Sequence, residues 1–237
     1  MAPTRYRAAE SVYLRMVNNN VVILDLRRDN YLALDQDTSK LLHPHLQLLC
    51  SAIGMTGPAE RHPLSNVLRD LIERGLLSTS AYPHNSFRPL RLTEPHSAII
   101  ANHASNRHIR IHDAACYFAS AITAAISLRL LSLHKIVTTE RRRTISRRSQ
   151  PQAYDSSLTE SLCSIYSRLR IVIDNPQHCL FDSLALKRFL ARYGLFPQWV
   201  FGVRLDPFAA HCWLQHETTV LNDSLDFVRS FTPIMTA

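Results

Sequence analysis

Glycine is nearly absent from this chain, at five residues in 237, where an ordinary protein carries about 7 %. That excludes a collagenous or glycine-rich architecture, and no GxxxxGK(S/T) run is present to cradle a nucleotide phosphate. Lysine occurs only at positions 40, 135 and 187. The five cysteines, Cys50, Cys116, Cys163, Cys179 and Cys212, are odd in number and far apart, with no CxxC pair. Neither a zinc knuckle nor a thioredoxin motif is present, and no metal site is expected. The start of the chain, MAPTRYRAAESVYLR, lacks the apolar core of a secretion signal. A reduced, cytoplasmic setting is therefore expected. Long apolar runs are also missing. The nearest, residues 114–133, is rich in Ala and Ser and interrupted by Arg129. It reads as a buried helix and not as a membrane span, which wants about 20 predominantly apolar residues.

What is present is a globular composition, 46 % hydrophobic and 19 % charged, with a net charge of +8. That excludes a fully disordered chain and suffices for a core without disulfides. The cations are almost all arginine, whose permanently charged planar fork suits carboxylate and phosphate partners. An acidic peptide, a nucleotide or a nucleic acid fits this bias, and so does solubility alone.

Residues 11–17 and 20–26 are short and rich in β-branched side chains, with asparagines at 18–20 between them. This predicts a β-hairpin, followed by a third short strand from Tyr31 to Leu34. Asp35 or Asp37 caps a predicted helix from Thr38 to about Ala52. A second helix is predicted from about Pro63 to Arg74, with Leu64, Val67, Leu68, Leu71 and Ile72 at helical spacing and Gly75 as its stop. Residues 78–97 hold Pro83, Pro89 and Pro95 among Ser, Thr and Asn, a linker composition that puts a boundary near residue 88. A core helix is predicted from Asp113 to about Ile136. The five arginines between Arg141 and Arg148 predict a solvated loop, and residues 158–171 an amphipathic helix.

The last sixty residues carry the chemistry. Leu180, Leu184, Leu186, Phe189 and Leu190 predict a helix ending at Gly194, which puts Cys179 at its first turn. A helix N-terminus lowers a thiol pKa, and the thiolate is the competent nucleophile. Strands are then predicted at 198–205, 210–215 and 218–223. His211 and Asp223 fall at comparable depth on neighbouring strands. A cysteine at a helix start, a histidine on one strand and an aspartate on the next is the nucleophile, base and orienter of a papain-like site. Asp206 is the rival third member, in a turn before His211. Cys212, adjacent to His211, points to the opposite face and reads as packing.

The runs CLFDSLALKRFLARYG, FGVRLDPFAAHCWLQ and VLND resemble the transglutaminase-like cysteine protease domain of lasso-peptide maturation B-proteins of the microcin J25-processing type. The resemblance spans roughly 98–237 and implies that Cys179, His211 and Asp223 form a catalytic triad. YLALD and VLRDLIERGLL resemble the small leader-binding domain of such systems, here fused in front; residues 50–62 depart from that pattern. The implied fold class is α+β: a three-stranded, winged-helix-like leader-binding domain over 1–85, a linker at 86–97, and a papain/transglutaminase-like cysteine protease domain over 98–237. The implied activity is removal of the leader from a lasso-peptide precursor, handing the core peptide to an asparagine-synthetase-like macrolactam cyclase.

In such domains the leader adds as a strand to the sheet edge, here Tyr31, Leu32 and Leu34, against a wall holding Leu68, Leu71 and Ile72. The Cys179 backbone N–H and Gln177 are the candidate oxyanion donors. The resemblance also implies an ATP requirement of the maturation complex, which belongs to the partner cyclase or to a basic surface such as residues 141–148; no covalently bound cofactor is expected. Nucleic acid and stable membrane insertion are not expected. Two alternatives stand beside this reading. One is an acyltransferase or transglutaminase using the same triad. The other is a winged-helix DNA-binding regulator, for which the helix at 63–74 offers only Arg69 and Arg74.

Overall fold

The computed structural model describes residues 5–51, 55–56, 62–79, 90, 92–99, 108–148, 155–170 and 179–237. The chain divides into two compact units, residues 1–90 and 91–237. Both units mix helices with sheet that is antiparallel except where Ser97–Ala98 runs parallel to Thr219–Val220, so the fold class is α+β.

In the first unit, β1 (Arg5–Ala8) is followed by β2 (Val12–Val17), β3 (Asn20–Asp25) and β4 (Asn30–Ala33). The last three form an antiparallel sheet in the order β2-β3-β4, with Met16 opposite Val21 and Leu24 opposite Tyr31. Asn18 and Asp29 adopt positive φ in the two turns, which short polar side chains tolerate. Asp35 caps α1 (Gln36–Leu42) by accepting from the Thr38 N–H at 2.9 Å. The helix predicted to run on to Ala52 is interrupted: a 3₁₀ turn spans His43–His45, and α2 (Leu46–Leu49) follows. Pro44 is the cause, since it carries no N–H to continue the ladder.

β5 (Met55–Thr56) and β6 (Leu77–Ser78) flank β1 in a second sheet. Between them, α3 (Pro63–Glu73) ends as expected at Gly75. Gly75 has φ +73°, and its own N–H and that of Leu76 reach the carbonyls of Ile72 and Leu71 at 2.8 Å, a Schellman closure. Leu68 and Leu71 are 0 % and 1 % exposed, within a core shared with Val12, Leu14, Val21, Ile23, Leu42 and Leu64. They therefore line no surface groove, because the helical spacing that singled them out is the spacing of its buried face. Ile72, Leu32 and Leu34 are half-buried at the margin of that core.

The second unit is built on a five-stranded sheet in the order β11-β8-β9-β10-β7. Its strands are β7 (Ser97–Ala98), β8 (Gln198–Leu205), β9 (Phe208–His216), β10 (Thr219–Val220) and β11 (Thr232–Thr236). Within the stretch whose composition reads as linker, residues 92–97 are bound into this unit. The Thr93 carbonyl accepts from Gln215, the Pro95 carbonyl from Arg229, and the His96 N–H donates to the Thr218 carbonyl. Backbone pairing of this kind leaves no trace in composition.

Among the described residues of this unit, four helices precede the long β8–β9 hairpin: α4 (Ile111–Leu130), α5 (Leu133–Arg148), α6 (Ser156–Arg170) and α7 (Cys179–Ala191). The helix predicted from Asp113 to Ile136 is two helices, because Leu131 turns extended and the Ile136 N–H restarts the ladder on the Ser132 carbonyl. α4 is long and apolar enough to cross a membrane by length and composition. One side of it, with Cys116, Tyr117, Ser120, Ala121 and Ala124, is buried where it packs against α7, while Phe118, Ile122 and Ile126 on the other side are about half exposed. Small residues on the buried side let the two axes approach closely.

The arginine run is not a loop. α5 continues through Arg148, since its buried Glu140 and Thr144 anchor it to α7. Glu140 takes Arg188 at 2.9 Å, and Thr144 takes the buried Lys187 ammonium at 3.0 Å. α7 ends in a second glycine closure, with Gly194 at φ +82° and the Leu195 N–H on the Leu190 carbonyl.

Candidate active site

Cys179 is the first residue of α7, as its apolar spacing predicts. A helix start leaves N–H groups without intrahelical acceptors and carries a partial positive charge. α7 packs against β9, the strand that holds His211. On the far side of β9, β10 pairs only Thr219 with His216 and Val220 with Gln215 before the chain bends away. Leu221 adds one more bond, its N–H to the Leu214 carbonyl, and the Asn222 side chain accepts from the Leu214 N–H at 2.8 Å. Asn222 thus supplies the acceptor that a further strand residue would have supplied. Among the described residues no strand pairs with this edge of β9 at residues 211 and 212, and there the Cys179 sulfur accepts from the Cys212 backbone N–H.

The predicted strand at 218–223 is therefore shorter than expected, and Asp223 stands in the bend after it, just before α8 (Leu225–Arg229). That bend carries its carboxylate to the His211 ring: Nε2 and Oδ2 are 2.7 Å apart. The other carboxylate oxygen accepts from the Ser224 N–H at 2.7 Å. The rival, Asp206, sits exposed in the β8–β9 turn after a run of backbone that ends in a cis bond to Pro207.

With Nε2 held by Asp223, the remaining ring nitrogen serves Cys179, and the two side chains are hydrogen-bonded. Three aromatic rings enclose the imidazole. Trp213 stacks parallel to it at 6.1 Å, Phe227 meets it edge-on at 5.1 Å, and Phe231 lies at 5.2 Å. Gly202, opposite His211 on β8, makes room for this, since a Cβ there would lie 2.8 Å from the Trp213 ring and 3.1 Å from Phe231.

The electrostatics follow from these contacts. The Cys212 thiol hydrogen bond is the largest influence on Cys179. Together with His211 and the Cys212 N–H it outweighs burial and lowers the Cys179 thiol to about 4. For His211, burial opposes the charged form. The Asp223 hydrogen bond, and the bond and charge of Cys179, override it and raise the imidazole to about 9. Between these values the pair is a thiolate beside an imidazolium. That is a nucleophile and a proton donor held together, the equipment of acyl transfer.

The sequence assigned Cys212 to packing, and it is buried on the face of β9 turned toward α7, with Ser183 Oγ 3.3 Å from its sulfur. It also donates twice to Cys179, through thiol and backbone, which side-chain alternation could not reveal. Ser183 in turn donates to the Cys179 carbonyl at 2.5 Å and accepts from the Trp199 indole at 2.8 Å. These contacts fix the first turn of α7 from beneath. Gln177, the second oxyanion candidate, lies outside the described residues. The Cys179 N–H belongs to the first turn of α7, where helix N–H groups have no intrahelical acceptor.

Next to Asp223 is a cavity of about 240 Å³ lined by α6, α7 and the bend, with Arg170, Asp182, Tyr166 and Asn222 among its walls. Asp182 pairs with Arg170 at 3.2 Å, and burial pushes its carboxyl above the usual range. Of the remaining candidates, Tyr31, Leu32 and Leu34 lie on or just after β4, in the first unit.

The family model described as Transglutaminase-like superfamily matches residues 118–236, half of the chain, and the matched segment contains Cys179, His211 and Asp223. No curated protein and no solved structure matches the chain.

Proposed function

Since the chain belongs to the transglutaminase-like superfamily, we propose that it is a cysteine peptidase that removes the leader from a lasso-peptide precursor. The observation that carries this is the contact of a helix-start thiol, an imidazole and a carboxylate in one line, with the Nε2 to Oδ2 distance at 2.7 Å. The Cys179 thiolate attacks the carbonyl carbon at the end of the leader. The Cys179 N–H faces the oxyanion. The His211 imidazolium gives its proton to the leaving amine, and the core peptide departs with a free N-terminus. Neutral His211 then takes a proton from water, whose oxygen displaces the sulfur from the thioester. Asp223 holds the ring and its charge throughout.

The first unit holds the leader. β4 is terminal in its sheet, and an added strand there gains backbone hydrogen bonds while alternate side chains meet Leu32, Leu34 and Ile72. Binding leader and scissile bond through one chain sets an effective concentration in about the millimolar range. An asparagine-synthetase-like cyclase takes the product, and ATP use belongs to that partner's ring closure.

The test is incubation of the protein with a short lasso-type precursor peptide, leader and core joined, read by mass spectrometry. Hydrolysis gives leader and core whose masses sum to precursor plus water, and Cys179→Ala abolishes it while leader affinity persists. An amine-sized adduct in place of water assigns the same triad to acyl transfer. Cleavage that survives Cys179→Ala removes that sulfur from the mechanism.

A further inference from the structure

Among the described arginines of the second unit, Arg204 is the one with a buried guanidinium nitrogen that no acceptor meets. Arg143 and Arg188 meet Glu140, and Arg170 meets Asp182. The Arg204 side chain makes no ion pair or hydrogen bond among the described residues, and its Nε is buried without an acceptor. A buried N–H without a partner is a cost that a folded chain rarely leaves standing. Asp206, two residues along in the turn, does not relieve it among the described residues.

Its position is set by the sheet register. Gly202 pairs with His211 and Arg204 with Ala209, so Arg204 projects from the same face as His211, one pleat nearer the turn. Its guanidinium lies over the Phe231 ring at 5.1 Å, and the same ring is 5.2 Å from the imidazole. The two distances together bound the separation of guanidinium and imidazole. Phe231 is buried and cannot yield, so the stacking holds the charged fork in place while its terminal nitrogens remain for a ligand.

We propose that Arg204 forms an anion-binding subsite beside the Cys179–His211 pair, selecting peptides with an acidic side chain close to the scissile bond. A carboxylate meets the guanidinium fork in two parallel hydrogen bonds, which an amide of the same shape cannot match. An extended peptide advances about 3.3–3.6 Å per residue, so the acidic residue lies within roughly two or three positions of the bond attacked. This rests on the peptidase reading, and it narrows the substrate class.

The experiment needs only the nucleophile. The full chain is alkylated at pH 6 with N-iodoacetyl-glutamic acid amide, N-iodoacetyl-glutamine amide and N-iodoacetyl-lysine amide. Each reaction forms one S–C bond and releases iodide, and labelling at Cys179 is followed by peptide mass spectrometry. The glutamate reagent should react about fivefold faster than the glutamine reagent, as expected for unit charges about 4 Å apart in water-like surroundings. The lysine reagent should be slower by a similar factor. Arg204→Gln should bring the glutamate-to-glutamine ratio to about one, and Arg204→Lys should keep most of it. A ratio unchanged in Arg204→Gln overturns the subsite and assigns the preference to net charge. Equal rates for all three reagents on the unaltered protein overturn it without recourse to any variant. Failure of every reagent to label Cys179 overturns the peptidase reading instead.

Discussion

Replacing Asp223 by Asn tests the site where its electrostatics are best defined. The amide keeps the shape and still accepts from Nε2, so the change removes a charge and little else. His211 and Asp223 side chains are 12 % and 22 % exposed, so solvent screens their contact weakly. The fold raises His211 from 6.5 to about 9, a preference for the imidazolium of about 3 kcal/mol at 1.36 kcal/mol per unit. Asp223 and Cys179 supply it against burial. Loss of the carboxylate leaves the thiolate as the remaining support and burial still opposed, so the imidazole midpoint should fall by more than about one unit.

The sign follows. A raised pKa means that the charged ring stabilises the fold fully below pH 6.5, and that this is lost as pH rises through about 9. In Asp223→Asn that loss begins nearer neutrality, and so does the loss of the proton that the leaving amine requires. The basic limb of the cleavage profile should move down with it, and a fall of one unit cuts the rate at pH 10 by about tenfold. NMR of ring-labelled histidine, with His211 assigned by its disappearance in His211→Gln, reads the midpoint directly. A midpoint still near 9, or cleavage at pH 10 within about twofold of the unaltered protein, would refute the assignment of Asp223 as orienter.

Iodoacetamide at pH 6 should label Cys179 well ahead of Cys50 and Cys163, because burial holds those thiols up at about 11 and about 12 while Cys179 is ionised above about 4. Comparable labelling of Cys50 by mass spectrometry would contradict the ordering. Gly202→Ala should destabilise the second unit by about 1–3 kcal/mol, since the added Cβ meets a Trp213 that is 1 % exposed. Its thermal midpoint should drop by about 2–4 °C per kcal/mol, and an unchanged melt would mean that the ring above His211 has room to move. Ser39→Ala strips the buried Val21 N–H of its acceptor at 2.8 Å. The cost should be about 1–3 kcal/mol, seen as a lower melting transition with Cys179 labelling unaffected.

What local chemistry governs was legible in the residues themselves. The caps at Asp35, Gly75 and Gly194 and the start of α7 at Cys179 depend on neighbours within one helical turn. So does the β2–β3 hairpin around its asparagines. Interactions of that range are written in consecutive positions, and spacing reads them. The arginine run misled because its helix is held by Glu140 and Thr144 reaching Arg188 and Lys187, more than forty positions away. β1, β7 and β11 carry too few alternating apolar residues to announce themselves, and they exist through partners far along the chain. Leu68 and Leu71 show the same limit, as helical spacing marks a buried face but does not say whether a neighbour or a ligand covers it. At the site, the residue types and their order were readable. The bend that delivers Asp223, the open edge of β9 and the second hydrogen bond from Cys212 were not. Those depend on where β10 stops, and a strand stops where its partners in three dimensions do, which no stretch of sequence by itself records.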